Sequence, residues 1–176
     1  RLAVGAIGDS GLTDNVGNSG SVRLFTFTNA SFGGGALAAT IGRGYTGAKD
    51  FDPGAALSSN EQLGSGVALN AAGDRLAVGA RFDAGSNMGF SNSGSVRLFT
   101  FSDTSFGGAA LAATIGREYT GGSDVNLGTG LEAGDQFGTS VALNAAGDRL
   151  AVGSMDAGAT NAVSQAGSVR LFTFVN

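Results

Sequence analysis

The chain has 176 residues, a net charge of −4, 32 Gly against one Pro, and neither Cys nor His. The missing Cys excludes disulfides and thiolate metal sites, and the missing His removes the commonest general base and neutral metal ligand. Recurring Val, Leu, Ile and Phe between the glycines exclude a disordered chain and predict short strands joined by tight turns.

In chain order the elements recur. The run Arg1-Leu2-Ala3-Val4-Gly5-Ala6 returns at residues 75–80 and, with one change, at 149–154. Ser21-Val22-Arg23-Leu24-Phe25-Thr26-Phe27 returns at 95–101 and 168–174. The period is 74 residues between the first two copies. A repeat of this kind is one supersecondary unit that buries its faces by stacking on copies of itself. In one full unit, strand A is 67–70, strand B 75–79, strand C 95–101 and strand D 110–115, with the next strand A at 141–144. Period-2 patterning with Gly, Asn and Asp turns predicts an antiparallel meander. No segment has a capped 3.6-residue apolar period, so no helix is expected.

The units divide as residues 1–60 (strands B-C-D), 61–134 (A-B-C-D) and 135–176 (A-B-C), ten strands in all. The chain opens inside a repeat, which predicts a piece of a longer array. In strand C, Val96 and Leu98 point to one face, while Arg97, Phe99 and Phe101 point to the other. Strands A and B have a large face (Val67, Leu69, Leu76, Val78) and a small one (Ala68, Ala77, Gly79). A plain β-sandwich leaves its outer faces polar. Here both faces are apolar, and the Phe-bearing face of one sheet is expected to fill against the small face of the next. Phe25, Phe99 and Phe172 are therefore expected to be buried between sheets.

Eight of the ten basic residues occupy equivalent places: Arg1, Arg75, Arg149; Arg23, Arg97, Arg170; Arg43, Arg117. They read as framework, and no basic stripe for nucleic acid exists. No apolar run is long enough to predict membrane insertion.

Residues 1–74 and 75–148 differ at 28 positions, 21 of them in the B–C loop (7–17) or the D–A loop (44–61). Antiparallel order places both loops at one rim, and varied loops on a constant scaffold are a usual place for binding specificity. The rim carries the aromatics Tyr45, Tyr119, Phe82 and Phe90, which either stack on sugars or pack back over the end of the sheet. It also carries Asp9, Asp14, Asp83 and Asp156, which are weak candidates for a cation and otherwise turn-forming or solvated carboxylates. No pair of carboxylates is singled out for glycoside hydrolysis, and no enzyme is expected.

Gln136-Phe137-Gly138-Thr139-Ser140-Val141-Ala142, followed by 147–154, resembles the FG-GAP repeat of integrin-alpha-type β-propellers. Leu63-Gly64 stands in the earlier copy for Phe-Gly, and Gly-Ser-Val-Arg-Leu-Phe-Thr-Phe is similar to the third strand of such a blade. With Ala-Thr-Ile-Gly-Arg-x-Tyr-Thr-Gly (39–47, 113–121), the whole unit resembles tandem repeats of very large secreted bacterial proteins of the filamentous-haemagglutinin or adhesin type. The resemblance implies an all-β chain of tandem four-stranded antiparallel blades, β-propeller-like, as a partial propeller or an open stack. It implies a structural or adhesive module, extracellular or on the cell surface. Partners would be copies of itself, head to tail, or neighbouring repeats. The alternative is a lectin-like module binding surface glycans at the rim. Calcium-binding blades of this family carry an Asp/Asn-rich loop between strands A and B. Here that loop is Asn70-Ala71-Ala72-Gly73-Asp74 (and 144–148), short of the 6–8 oxygens that Ca²⁺ takes. No cofactor is expected, and calcium is only a weak alternative.

Overall fold

The structure, a computed structural model, describes residues 1–155 and 166–175. Eleven strands are described: β1 (Leu2–Ala6), β2 (Ser21–Thr26), β3 (Ala36–Gly42), β4 (Leu63–Leu69), β5 (Arg75–Ala80), β6 (Ser95–Thr100), β7 (Ala110–Gly116), β8 (Val125–Asn126), β9 (Ser140–Leu143), β10 (Arg149–Ser154) and β11 (Ser168–Thr173). They form three sheets in the orders β1-β2-β3, β4-β5-β6-β7-β8 and β11-β10-β9. The protein is all-β.

The central sheet departs from the expected four strands. β8 adds a fifth, pairing parallel to β7 through Ile115–Val125 and Gly116–Asn126. Its cause is a side chain. The Asp124 carboxylate accepts from the Thr114 amide at 2.6 Å and the Gly121 amide at 3.1 Å, folding the loop back onto the edge. Asp50 does the same at Thr40 (2.6 Å) and Gly47 (2.8 Å), where a parallel Ile41–Phe51 bridge forms. Two residues are too few to leave a periodic signature. Strand A also begins earlier than expected, at Leu63, with a register shift before Val67. Single 3-10 turns form at Gly54–Ala56 and Gly128–Gly130.

Pairing decides which residues share a face. Leu76 lies opposite Phe99 and Val78 opposite Arg97, while Ala77 lies opposite Leu98 and Gly79 opposite Val96. The sheets then stack in the expected sense. Leu76, Val78, Phe99 and Phe101 pack with Ala3, Val22, Leu24, Ala39 and Ile41 of the first sheet. Leu150, Val152, Phe172 and Phe174 pack with Ala77, Val96, Leu98 and Ile115. Each seam removes a cluster of apolar side chains from water, larger in the first seam than in the second, at roughly 1.5–3 kcal/mol for each large one fully buried.

The small face is small for a reason at its glycines. A Cβ on Gly5 would lie 2.0 Å from the Gly64 carbonyl oxygen, and one on Gly79 would lie 1.9 Å from that of Gly138. No side chain fits where two backbones approach so closely.

Of the three Phe residues expected between sheets, only Phe99 is fully buried, at 1% exposure. Phe25 and Phe172 are half-buried. Phe25 faces the side of the first sheet on which no second sheet lies, and Phe172 is on β11, an edge strand.

Candidate functional site

The same rim that varies between copies is stitched across each seam by backbone. The amides of Asn60, Gln62 and Leu63 donate to the carbonyls of Gly17, Asn18 and Ser19 at 2.8, 3.1 and 2.9 Å. Gly134, Gln136 and Phe137 repeat this with Ser91, Asn92 and Ser93 at 3.0, 2.9 and 2.9 Å. Main-chain bonds do not depend on side-chain identity, so sequence can change here while geometry persists.

Beneath this stitching lies a buried polar cluster. The Gly85 amide fixes Asp83 Oδ1 at 2.7 Å, and Asp83 Oδ2 accepts from Ser95 Oγ (2.7 Å), Tyr119 Oη (2.8 Å) and Arg97 Nη2 (3.4 Å). Arg97 Nη2 also donates to Glu61 Oε2 at 2.7 Å and to the Ala56 carbonyl at 2.6 Å. The Arg97 side chain is 2% exposed. Burial works against its charge, but Glu61 and Asp83 overcome this and hold it cationic, with its pKa raised. Burial pushes the Glu61 carboxyl above its usual range; Arg97 opposes the shift and Asp83 adds to it. Burial likewise pushes the Tyr119 phenol up, reinforced by the Asp83 charge. One guanidinium thus faces two carboxylates.

The first unit has the same set without the neighbour. Asp9 Oδ2 accepts from Ser21 (2.9 Å), Tyr45 (2.9 Å) and Arg23 (3.3 Å), and Oδ1 accepts from the Gly11 amide (2.8 Å). No counterpart of Glu61 reaches Arg23 among the described residues, and its side chain is 48% exposed.

The expected rim residues are therefore divided. Asp9 and Asp83 are brought together with Tyr45 and Tyr119, each carboxylate saturated by protein donors, which leaves no open oxygen pair for a cation. Asp14 is exposed in a left-handed turn, and Asp156 lies outside the described residues. No group of three or more acidic residues that could hold a metal exists among the described residues. Phe90 lies under the Arg117 guanidinium, 3.5 Å from its ring centre, and Phe82 under Arg81 at 4.7 Å. Phe82 and Tyr119 line one open cleft of about 360 Å³ together with Ser58, Glu61, Ser86 and Met88.

Sequence reasoning did not assemble Glu61, Ser95 and Arg97 with Asp83 and Tyr119. The signal was present: Asp, Ser, Arg and Tyr recur at 9, 21, 23, 45 and at 83, 95, 97, 119. The recurring arginines read as framework and the recurring Asp and Tyr residues as rim candidates, but only folding shows that they share one carboxylate.

The A–B turns are closed internally. Asn70 Oδ1 accepts from the amides of Gly73, Asp74 and Arg75 at 3.0–3.1 Å, while its Nδ2 donates to Asp74 at 2.8 Å. Asn144 repeats the pattern with Asp148 and Arg149.

Among the described residues no helix is long and apolar enough to cross a membrane. In comparison with known proteins, the chain matches no family model and no curated sequence.

Proposed function

We propose that this chain is a non-enzymatic repeat module of propeller-like blades with a structural or adhesive role, extracellular or on the cell surface, working within an array of such units. The observation that supports this reading is the fate of the charged groups. Glu61 and Asp83 both pair with Arg97 inside a seam, and Arg97 also donates to the Ala56 carbonyl of the preceding unit. An acid–base catalyst needs a carboxyl that reaches substrate; Asp9 and Asp83 each accept from four protein donors, and Glu61, which lines the cleft, is held by Arg97 and the Ser58 amide. Repetition of one seam suits load-bearing and multivalent display better than the asymmetric constellation of an active site.

The test pairs two assays on the intact chain. Chromogenic glycosides and peptides should show no turnover, and beads coated with the chain should adhere to bacterial or host surfaces. Turnover that disappears in Glu61→Gln would overturn the reading.

One observation favours a second reading, a glycan-binding module: Phe82 and Tyr119 line the same cleft as Ser58, Ser86 and Glu61. Glycan-array binding that is lost in Phe82→Ala would select it.

A further inference from the structure

We propose that the rim cleft between the first two units takes an amino sugar, its free ammonium seated against the Glu61 carboxylate. This rests on the glycan-binding reading above and names the class of sugar. The cleft holds about 360 Å³, at the small end of the roughly 300–1,000 Å³ of ligand pockets, as a single sugar ring requires. Its walls all lie within residues 55–119. The D–A loop of the first unit supplies Ser58 and Glu61, the B–C loop of the second supplies Phe82, Ser86 and Met88, and Tyr119 closes the set.

Charge selects the ligand. Glu61 is the one charged side chain among these walls; Arg81, whose guanidinium stacks over Phe82, does not line the cleft. Beside Glu61 a single guanidinium, Arg97, serves two carboxylates, Glu61 at 2.7 Å and Asp83 at 3.4 Å. The cluster therefore lacks one positive charge. Asp83 is closed off by its four donors and is only 2% exposed. Glu61 keeps capacity: Oε1 accepts from the Ser58 amide at 2.8 Å and Oε2 from Arg97, whereas an ionised carboxylate has about four acceptor sites. The missing charge is felt at Glu61, whose carboxyl burial and Asp83 push up against the pull of Arg97. A ligand ammonium at the remaining sites supplies that charge, through a bond roughly twice as strong as a neutral one. A cleft with charge of one sign also focuses its field on the opposite ion. The other walls favour a sugar over a bare alkylammonium: Ser58 and Ser86 offer hydroxyls to ring hydroxyls, and Phe82 and Tyr119 offer aromatic surface.

Titration of the intact chain with glucosamine, N-acetylglucosamine and glucose, followed by amide NMR shifts, tests this. Glucosamine is expected to bind about tenfold or more tighter than the other two, which lack the ammonium. Its shifts should centre on Ser58, Glu61, Ser86, Met88 and Tyr119, a readout that needs no variant. Glu61→Gln keeps the size and one carbonyl oxygen but removes the charge, and should bring the three sugars to equal affinity; circular dichroism checks that its strands persist. Equal binding of glucose and glucosamine by the unmodified chain overturns the proposal and leaves the glycan reading standing. Absence of binding by every sugar overturns both. A glucosamine preference that survives Glu61→Gln, or shifts centred away from the cleft, overturns the placement at Glu61. Binding of N-α-acetyl-lysine methylamide in place of glucosamine overturns the choice of a sugar.

Discussion

Phe32 and Phe106 stand at the same position of successive repeats, yet Phe32 is 73% exposed and Phe106 is fully buried. Their own surroundings are alike. Phe32 meets Phe27 edge to face at 5.3 Å, and Phe106 meets Phe101 in the same way at 5.1 Å. The difference is the neighbouring unit: Lys49 donates to the Ser105 carbonyl at 3.1 Å, and the first sheet packs over Phe106. Phe106→Ala is therefore expected to cost about 3–5 kcal/mol. Phe32→Ala should stay within about 1 kcal/mol in the monomer. Urea unfolding of the two variants checks the contrast; equal losses would contradict it.

Arg97 and Arg23 make a second equivalent pair with unequal consequences. Removing Arg97 leaves Glu61 and Asp83 buried without a counter-charge, and Arg97→Ala should cost about 3–5 kcal/mol. The half-exposed Arg23 contributes only about 0–1 kcal/mol through its ion pair. Thermal melts of Arg97→Ala and Arg23→Ala should therefore separate widely.

Glu61 and Asp9 titrate with opposite effects on stability. Burial raises Glu61 above 4.5, so the folded state keeps a proton that the unfolded chain has released. Stability then falls as pH rises from 4.5 through the raised value. For Asp9, burial also acts upward, but hydrogen bonds from Gly11, Ser21 and Tyr45 and the charge of Arg23 outweigh it, leaving its pKa below 3.8. Its contribution is complete above 3.8 and is lost as pH falls through the lower folded value. Denaturant titrations across the acid range should show Glu61→Gln flattening the fall above 4.5 and Asp9→Asn flattening the acid limb.

Chelation is expected to leave the melting temperature unchanged. The oxygens that could serve a cation in the A–B turns and at Asp9 and Asp83 already accept from protein donors. A melt that drops in EDTA and recovers with Ca²⁺ would contradict this. The same turns predict that Asn70→Ala costs about 1–3 kcal/mol, since the part-buried amides of Asp74 and Arg75 lose their side-chain acceptor, while that of Gly73 keeps the Asn70 carbonyl.

The repeat, the strands and the two kinds of face are local properties, and they were legible in the residues. Val96 and Leu98 alternate with Arg97 and Phe99 because a strand turns successive side chains to opposite sides, and no tertiary information is needed to see it. Gly5 and Gly79 recur because a neighbouring backbone leaves no room for a Cβ. The parallel strand β8 was not legible, since it depends on one carboxylate, Asp124, reaching back ten residues to the Thr114 amide. Nor was the cluster of Glu61, Asp83, Ser95, Arg97 and Tyr119, whose members come from four segments far apart in the chain. Identical residues in successive copies carry identical propensities. Whether Phe25 or Phe99, Phe32 or Phe106, Arg23 or Arg97 is buried depends on what lies against the sheet, and that is decided only when the sheets stack.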